Sequence, residues 1–404
     1  MILEDVNART GSSNMRLIFL IAALTVSVSA RPDPRAPFDS DALRSATGIM
    51  AFAEVPVAPS GVHAKFRYDT VPVAKGITTF IEGPSHGLVQ GNITLIVGEQ
   101  SALVIDTGQF PAVARRVIAD MRKLTDKPVR YVAITHWHMD HYMANSEFAD
   151  AWPGLTIIAQ DFTATMMDKY GGRYQHYGPK VDENLKPMRD MLASGKAPDG
   201  TELTADRRQR IETVISEVEA AKPEFDLMRY RGADMTFENA IDIDLGNRVV
   251  TLMHLGRGNT AGDLVAYVPD AHALITGDIL VHPVPFSYGS YLTEWSVVLG
   301  KLADIDATVI VPGHGPVMYD KAYMLQVREL LDGVVAEVKR VWKPGMSADD
   351  VRKVMDLSKQ RDAFCHGDKS LENGFKASIE TAGVDRVTQE LEDKMKPESF
   401  DEKG

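Results

Sequence analysis

Apolar residues gather in short runs through the middle of the chain, and the runs change period twice. The stretches 77–82, 93–97 and 102–105 are brief and rich in Ile, Val and Thr, and Gly98-Glu99-Gln100 separates the last two. This predicts three strands, with a hairpin turn between the second and third. Val113, Val117, Met121 and Leu124 then recur at helical spacing behind Pro111, a residue suited to the first helical position, and Lys127-Pro128 stops the pattern. Residues 129–135 (VRYVAIT) form a buried strand, so strand, helix and strand precede the first cluster of histidines. Between about 161 and 233 the pattern becomes helical and charged. Thr204 is placed to cap a helix whose Ile211, Val214, Ile215 and Val218 make one apolar stripe, and the block reads as an insertion in the main fold.

Strands return at 241–254, 264–268 and 273–276, with Pro269-Asp270 as a turn between the last two, so the second β-rich half mirrors the first. After 309–311, Met324, Val327, Leu331, Val334, Val338 and Val341 repeat at intervals of three and four and predict an amphipathic helix ending at Lys343-Pro344-Gly345. Ser347 and Asp350 have the spacing of a capping box for a further helix, and the tail from about Val384 is strongly charged.

The first 61 residues follow neither period. The uninterrupted apolar run 17–26 sits behind Arg16 and is followed by Ser27-Val28-Ser29-Ala30, the layout of a secretory signal cleaved after Ala30. Glu4 and Asp5 make a poor start for such a signal, which points to Met15 as the true first residue. A retained anchor is the alternative, but the run falls short of the ~20 apolar residues that a spanning helix needs. The expectation is a periplasmic or secreted protein without a stable membrane anchor. Residues 1–30 are then the signal, 31–61 an irregular leader, 62–318 the main domain and 319–404 a helical C-terminal extension.

Composition narrows the chemistry. With 44 Lys and Arg against 56 Asp and Glu, the net charge is −12, which opposes a nucleic-acid partner. Cys365 is the only cysteine, so no disulfide forms within the chain and any metal must be held by His and carboxylates. Such residues are concentrated in one place, His136-Trp137-His138-Met139-Asp140-His141, immediately after a buried strand. A turn there can aim the polar side chains at one point, and imidazole with carboxylate suits zinc.

The HxHxDH cluster resembles the signature of the metallo-β-lactamase superfamily. Val104-Ile105-Asp106-Thr107-Gly108, Thr276-Gly277-Asp278 and Pro312-Gly313-His314-Gly315 match further landmarks in the expected order, from about Gly91 to Pro316. The resemblance implies a four-layer αββα sandwich of the α/β class, here with the helical insertion inside it and the helical tail outside. It also implies His136 and His138 on a first zinc, Asp140, His141 and His314 on a second, and Asp278 between them. Two such cations share a water whose pKa falls from ~15.7 towards ~7, and Asp140 is then also a catalytic residue that orients it and shuttles its proton. Asp106 is implied as a support of the His loop, although it could equally be a turn cap at a strand end.

One segment departs from the pattern. Where the family usually offers a His before Thr, the sequence reads Gly256-Arg257-Gly258-Asn259-Thr260-Ala261-Gly262-Asp263. An amide oxygen is a poorer zinc ligand than imidazole, so the first site is weaker, filled by water, or completed by His254 or His282. One zinc or two are therefore both compatible with the sequence, and the ligand set would also accept iron or manganese. Phe286, Tyr288 and Tyr291 follow the Asp278 motif and are candidates for a pocket wall or for simple packing. The resemblance implies a zinc hydrolase attacking a carbonyl of a small-molecule substrate, the β-lactam amide first, with lactones and thioesters as alternatives. The GRGNTAGD segment also resembles an exported, quinoprotein-associated subgroup, in which the role would be accessory metal binding with little turnover.

Overall fold

The computed structural model describes residues 50–56, 65–82, 89–175, 177–198 and 200–395. The signal segment and most of the leader lie outside the described residues. Among the described residues, no helix is long and apolar enough to cross a membrane.

Two sheets lie face to face. The first runs β1 (Met50–Pro56), β2 (Lys65–Ala74), β3 (Ile77–Glu82), β4 (Ile93–Val97), β5 (Ala102–Ile105), β6 (Val129–Ile134), β7 (Thr156–Gln160) and β8 (Met235–Phe237), in that order across the sheet. It is antiparallel up to β5 and parallel from β5 to β8. The second holds β9 (Ala240–Asp244), β10 (Val249–Met253), β11 (Val265–Val268), β12 (Ala273–Val281) and β13 (Val309–His314), antiparallel except for the β12–β13 pair.

The sequence of β5 shows how the layers are made. Ala102 and Val104 point into a core shared with the helices, whereas Leu103 and Ile105 point into a second core between the sheets. A strand buried on both faces is uniformly apolar, which is why ALVI shows no alternation. Residues such as Ile77, Ile96 and Ala133 of the first sheet meet Ile243, Val250, Leu252 and Val311 of the second in the inter-sheet core. Outside the first sheet lie α1 (Pro111–Leu124), α2 (Met139–Tyr142), α3 (Asn145–Ala151), α4 (Asp161–Tyr174), α5 (Gly178–Ser194) and α6 (Ala205–Leu227). Outside the second lie α7 (Leu292–Asp304) and the C-terminal helices α8 (Ala322–Val341), α9 (Ala348–Val354), α10 (Ser358–Cys365) and α11 (Lys369–Phe375), followed by a π-helical turn (Lys376–Gly383) and α12 (Val384–Leu391). The result is the expected αββα sandwich with a helical block and a helical tail.

The helical block α4–α6 connects the parallel neighbours β7 and β8 and shares its core with the first sheet: Tyr170, Met188, Ile211 and Phe225 belong to the same apolar cluster as Trp137 and Tyr142. Thr204 caps α6 by accepting from the Arg207 amide, and Ser347 and Asp350 form a capping box on α9, as their spacing predicts. Three expectations are corrected. The leader is not irregular throughout, because residues 50–56 add an antiparallel strand to β2. The stretch 241–254 is a hairpin of β9 and β10, turned where the Gly246 amide donates to Asp244 Oδ1 with Gly246 at φ 111°. The strand expected at 273–276 continues as β12 to Val281, carrying Asp278 with it.

Candidate metal centre

Four segments deliver the polar side chains, three at the end of a strand and the fourth, with Asp278, from within β12. β5 runs into Asp106, whose backbone turns to φ 59°. Its Oδ1 accepts from the Thr135 amide at 2.7 Å, and its Oδ2 accepts from Thr135 Oγ1 at 2.8 Å and lies 2.8 Å from His141 Nδ1. The carboxylate thus pins the end of β6 and the ring that follows it. β6 ends at Ile134 and is followed by His136 and His138, and the short α2 presents Asp140 and His141 from its single turn. From the second sheet, β12 carries Asp278 and its parallel neighbour β13 ends on His314.

The ligand atoms fall into two groups. His136, His138 and Asp278 form one; Asp140, His141 and His314 form the other; within each, the atoms lie within 4.8 Å of one another. His136 Nε2 and His138 Nδ1 are 2.9 Å apart, and His141 Nε2 and His314 Nε2 are 3.2 Å apart. Asp278 faces both groups, with Oδ2 3.5 Å from His136 Nε2 and Oδ1 3.3 Å from His141 Nε2 and 3.5 Å from His314 Nε2. Asp140 Oδ2 lies 3.1 Å from His314 Nε2. Because Asp106 takes the Nδ1 side of His141, the Nε2 side is left to face His314 and the two carboxylates, which is the orientation a metal-ligating imidazole adopts.

Electrostatics point the same way. Burial, with neighbouring imidazoles adding to it, holds His136 well below the ordinary imidazole range, and burial brings His138 down to about 4. Both rings are neutral at pH 7 and offer lone pairs. For His141 burial is outweighed by Asp278, Asp140 and Asp106, which hold its pKa well above normal. Burial alone would raise Asp140, but His141 and His314 hold it below the usual carboxylate range. Burial lifts Asp106 above that range against the pull of His141. Four imidazoles and two carboxylates facing one another in a dry cleft form a donor set that a divalent cation neutralises, and Asp278 Oδ1 is buried with no hydrogen-bond partner among the described residues. The residues present fit the metal that the fold implies.

Backbone close to the ligands leaves no room for side chains. A Cβ on Gly313 would sit 2.0 Å from Asp278 Oδ1, and one on Gly91 would sit 2.6 Å from the His141 ring. Sequence reasoning gave Gly91 no role, because its partner lies fifty positions further on. His254 and His282 join neither group: His254 Nδ1 is 2.8 Å from the Asp263 carbonyl, and His282 packs on Tyr323 with its amide donating to the His314 carbonyl. Asn259 is fully buried, and its Nδ2 donates to the Phe286 carbonyl at 2.5 Å. The Phe286 ring lies 5.8 Å from that of His138, while Tyr288 and Tyr291 are buried, Tyr288 with its ring 4.8 Å from that of Phe286.

The family model of the metallo-beta-lactamase superfamily matches residues 86–314, more than half of the chain and all six of these side chains. The chain belongs to the metallo-beta-lactamase superfamily. Among curated proteins this superfamily member is 22% identical over 284 residues to the linear primary-alkylsulfatase of a Pseudomonas strain, covering 65% of this chain and 49% of that protein. It is 24% identical over 238 residues to the beta-lactamase-like protein 2 homolog of Caenorhabditis elegans, covering 58% of this chain and 59% of that one. The chain therefore spans about half the length of the curated relatives it matches. Among solved structures it is similar to a metallo-beta-lactamase from Pontibacter korlensis, with a TM-score of 0.47, 16% identity, and coverage of 66% of this chain and 99% of that one. A metallo-beta-lactamase from Hirschia baltica gives a TM-score of 0.44 at 14% identity, with coverage of 65% and 97%. Members of the superfamily are metal-dependent hydrolases, and the two His/Asp groups are this chain's candidate ligand sets.

Proposed function

We propose that this superfamily member is an exported hydrolase that depends on divalent metal, zinc in the first instance, and cleaves an acyl bond of a small molecule, with the β-lactam amide as the first substrate to test. The observation that carries this reading is Asp278, whose two oxygens face separate groups of ligands. Bound there, the cations would supply Lewis acidity and lower the pKa of water.

The chain's own residues do the rest. Asp140 is the half-buried member of an otherwise buried set, and its carboxylate is ionised at neutral pH, so it is the group that accepts the proton of an attacking water. Asp106 and Thr135 keep His141 and the loop of His136 in register. Phe286 makes the wall beside His138 and excludes water on that side. The net charge of −12 supports a small-molecule substrate over nucleic acid.

The similarity to an alkylsulfatase supports a second reading, hydrolysis of a primary sulfate ester by the same ligands. Purified protein is to be assayed on a chromogenic cephalosporin, a lactone, a thioester and a primary alkyl sulfate, with zinc and with a chelator. Turnover of an acyl substrate that is lost on chelation and in His138→Ala supports the first reading. Turnover of the sulfate alone supports the second. Metal binding without turnover on any of the four sinks both and favours an accessory metal-binding role.

A further inference from the structure

The C-terminal extension reaches back to the loop beside the metal ligands. Ser378, in the middle of the π-helical turn and almost fully buried, donates from Oγ to the Pro285 carbonyl at 2.5 Å and accepts from the Ser287 amide at 2.9 Å. Ser287 Oγ returns a bond to the Ser378 carbonyl. Arg386 of α12 donates from Nε to the Ser290 carbonyl at 2.8 Å, and Ser290 Oγ donates to the Ser287 carbonyl at 2.7 Å. The grip therefore brackets Phe286 on both sides. It continues inward, since the Tyr291 amide donates to the Gly258 carbonyl at 2.9 Å and Asn259 Nδ2 to that of Phe286.

A carbonyl only accepts, so the Phe286 bond fixes which end of the Asn259 carboxamide is nitrogen. The oxygen end is then a buried acceptor with no hydrogen-bond partner among the described residues. Such an atom is costly unless a donor or a cation meets it. The same Phe286 packs its ring on His138, a member of the first group. That group has three His or Asp donors, whereas in the group of Asp140, His141 and His314 both histidines also face Asp278 Oδ1, which brings its donors to four.

Resting on the metal-dependent reading above, we propose that Asn259 turns its carboxamide oxygen to the first metal position as a neutral donor, and that Ser378 of the C-terminal extension is the positioning residue that holds it there. The first position is then the weaker of the two, and its affinity is set from the tail.

The experiment is competition of zinc against a chromophoric chelator on the full chain, resolving two dissociation constants, with urea unfolding of each variant as a control. Ser378→Ala should weaken the weaker constant about tenfold, as loss of a group that orients a ligand does, and leave the tighter one within about twofold. Ser378→Thr, which keeps the hydroxyl, should restore it. Asn259→Leu should weaken the same constant at least as much, and Asn259→His should tighten it. If Ser378→Ala does not fold, Ser287→Ala removes one bond of the same grip and reads the same constant. Unchanged constants in a folded Ser378 or Ser287 variant, a parallel shift of both constants, or an unaffected Asn259→Leu overturns the proposal. Failure of the wild-type chain to bind zinc overturns instead the metal-dependent reading beneath it, before any variant is made.

Discussion

At the scale of single residues, the centre depends on which nitrogen of each ring is committed elsewhere. Asp106 holds His141 by Nδ1, so Asp106→Asn, which keeps the shape and loses the charge, is expected to lower zinc affinity about 10–100-fold without unfolding the chain, as read by equilibrium dialysis. The pH dependence follows from the same rings. Burial holds His136 well below the ordinary imidazole range and brings His138 down to about 4, so both are neutral and cost the metal nothing near neutrality. His141 carries a proton that the cation must displace, because its folded-state pKa is raised. Affinity at the second position is therefore expected to rise with pH, about tenfold per unit until the pKa of His141 is passed. Zinc titrations between pH 6 and 8 that give a flat profile would contradict this. The three histidines of the cluster were legible because they are neighbours in sequence, and Asp278 and His314 became legible only through the motifs around them. Gly91 was not legible, since its importance lies in a ring that packs on it from another loop.

At the scale of elements, the helical block is fastened to the segment that carries Asp106. Glu224 in α6 is fully buried and accepts from the Ala112 amide at 2.8 Å, capping α1 from a distance, and Phe225 packs edge-on against Phe110. On the other side Tyr170 of α4 stacks at 5.1 Å on Trp137, the residue between two ligands. Glu224→Ala removes the cap from a buried helix start and is expected to cost about 1–3 kcal/mol in urea unfolding. The existence of this block was plain from its helical period. Its attachment was not, because a cap offered by a glutamate more than a hundred residues away leaves no local signature at Pro111. The hairpin of β9 and β10 was hidden for a related reason: Leu245 is apolar and buried, so the turn reads as more strand.

At the scale of the whole molecule, the antiparallel strands frame the sandwich while the parallel ones, β5 to β7 and β12 to β13, point the ends of their chains at the cleft. Neither sheet holds a complete set of ligands. Removing the metal with a chelator is accordingly expected to lower the melting temperature, since a ligand present at 1,000 times its dissociation constant stabilises the folded state by about 4 kcal/mol. An unchanged melting temperature on chelation would mean that the centre and the fold are energetically separate. His141 comes from the first sheet and His314 from the second, 173 positions apart. A cation held between them would close a loop of that length, a constraint that the single cysteine, Cys365, cannot supply as a disulfide within the chain.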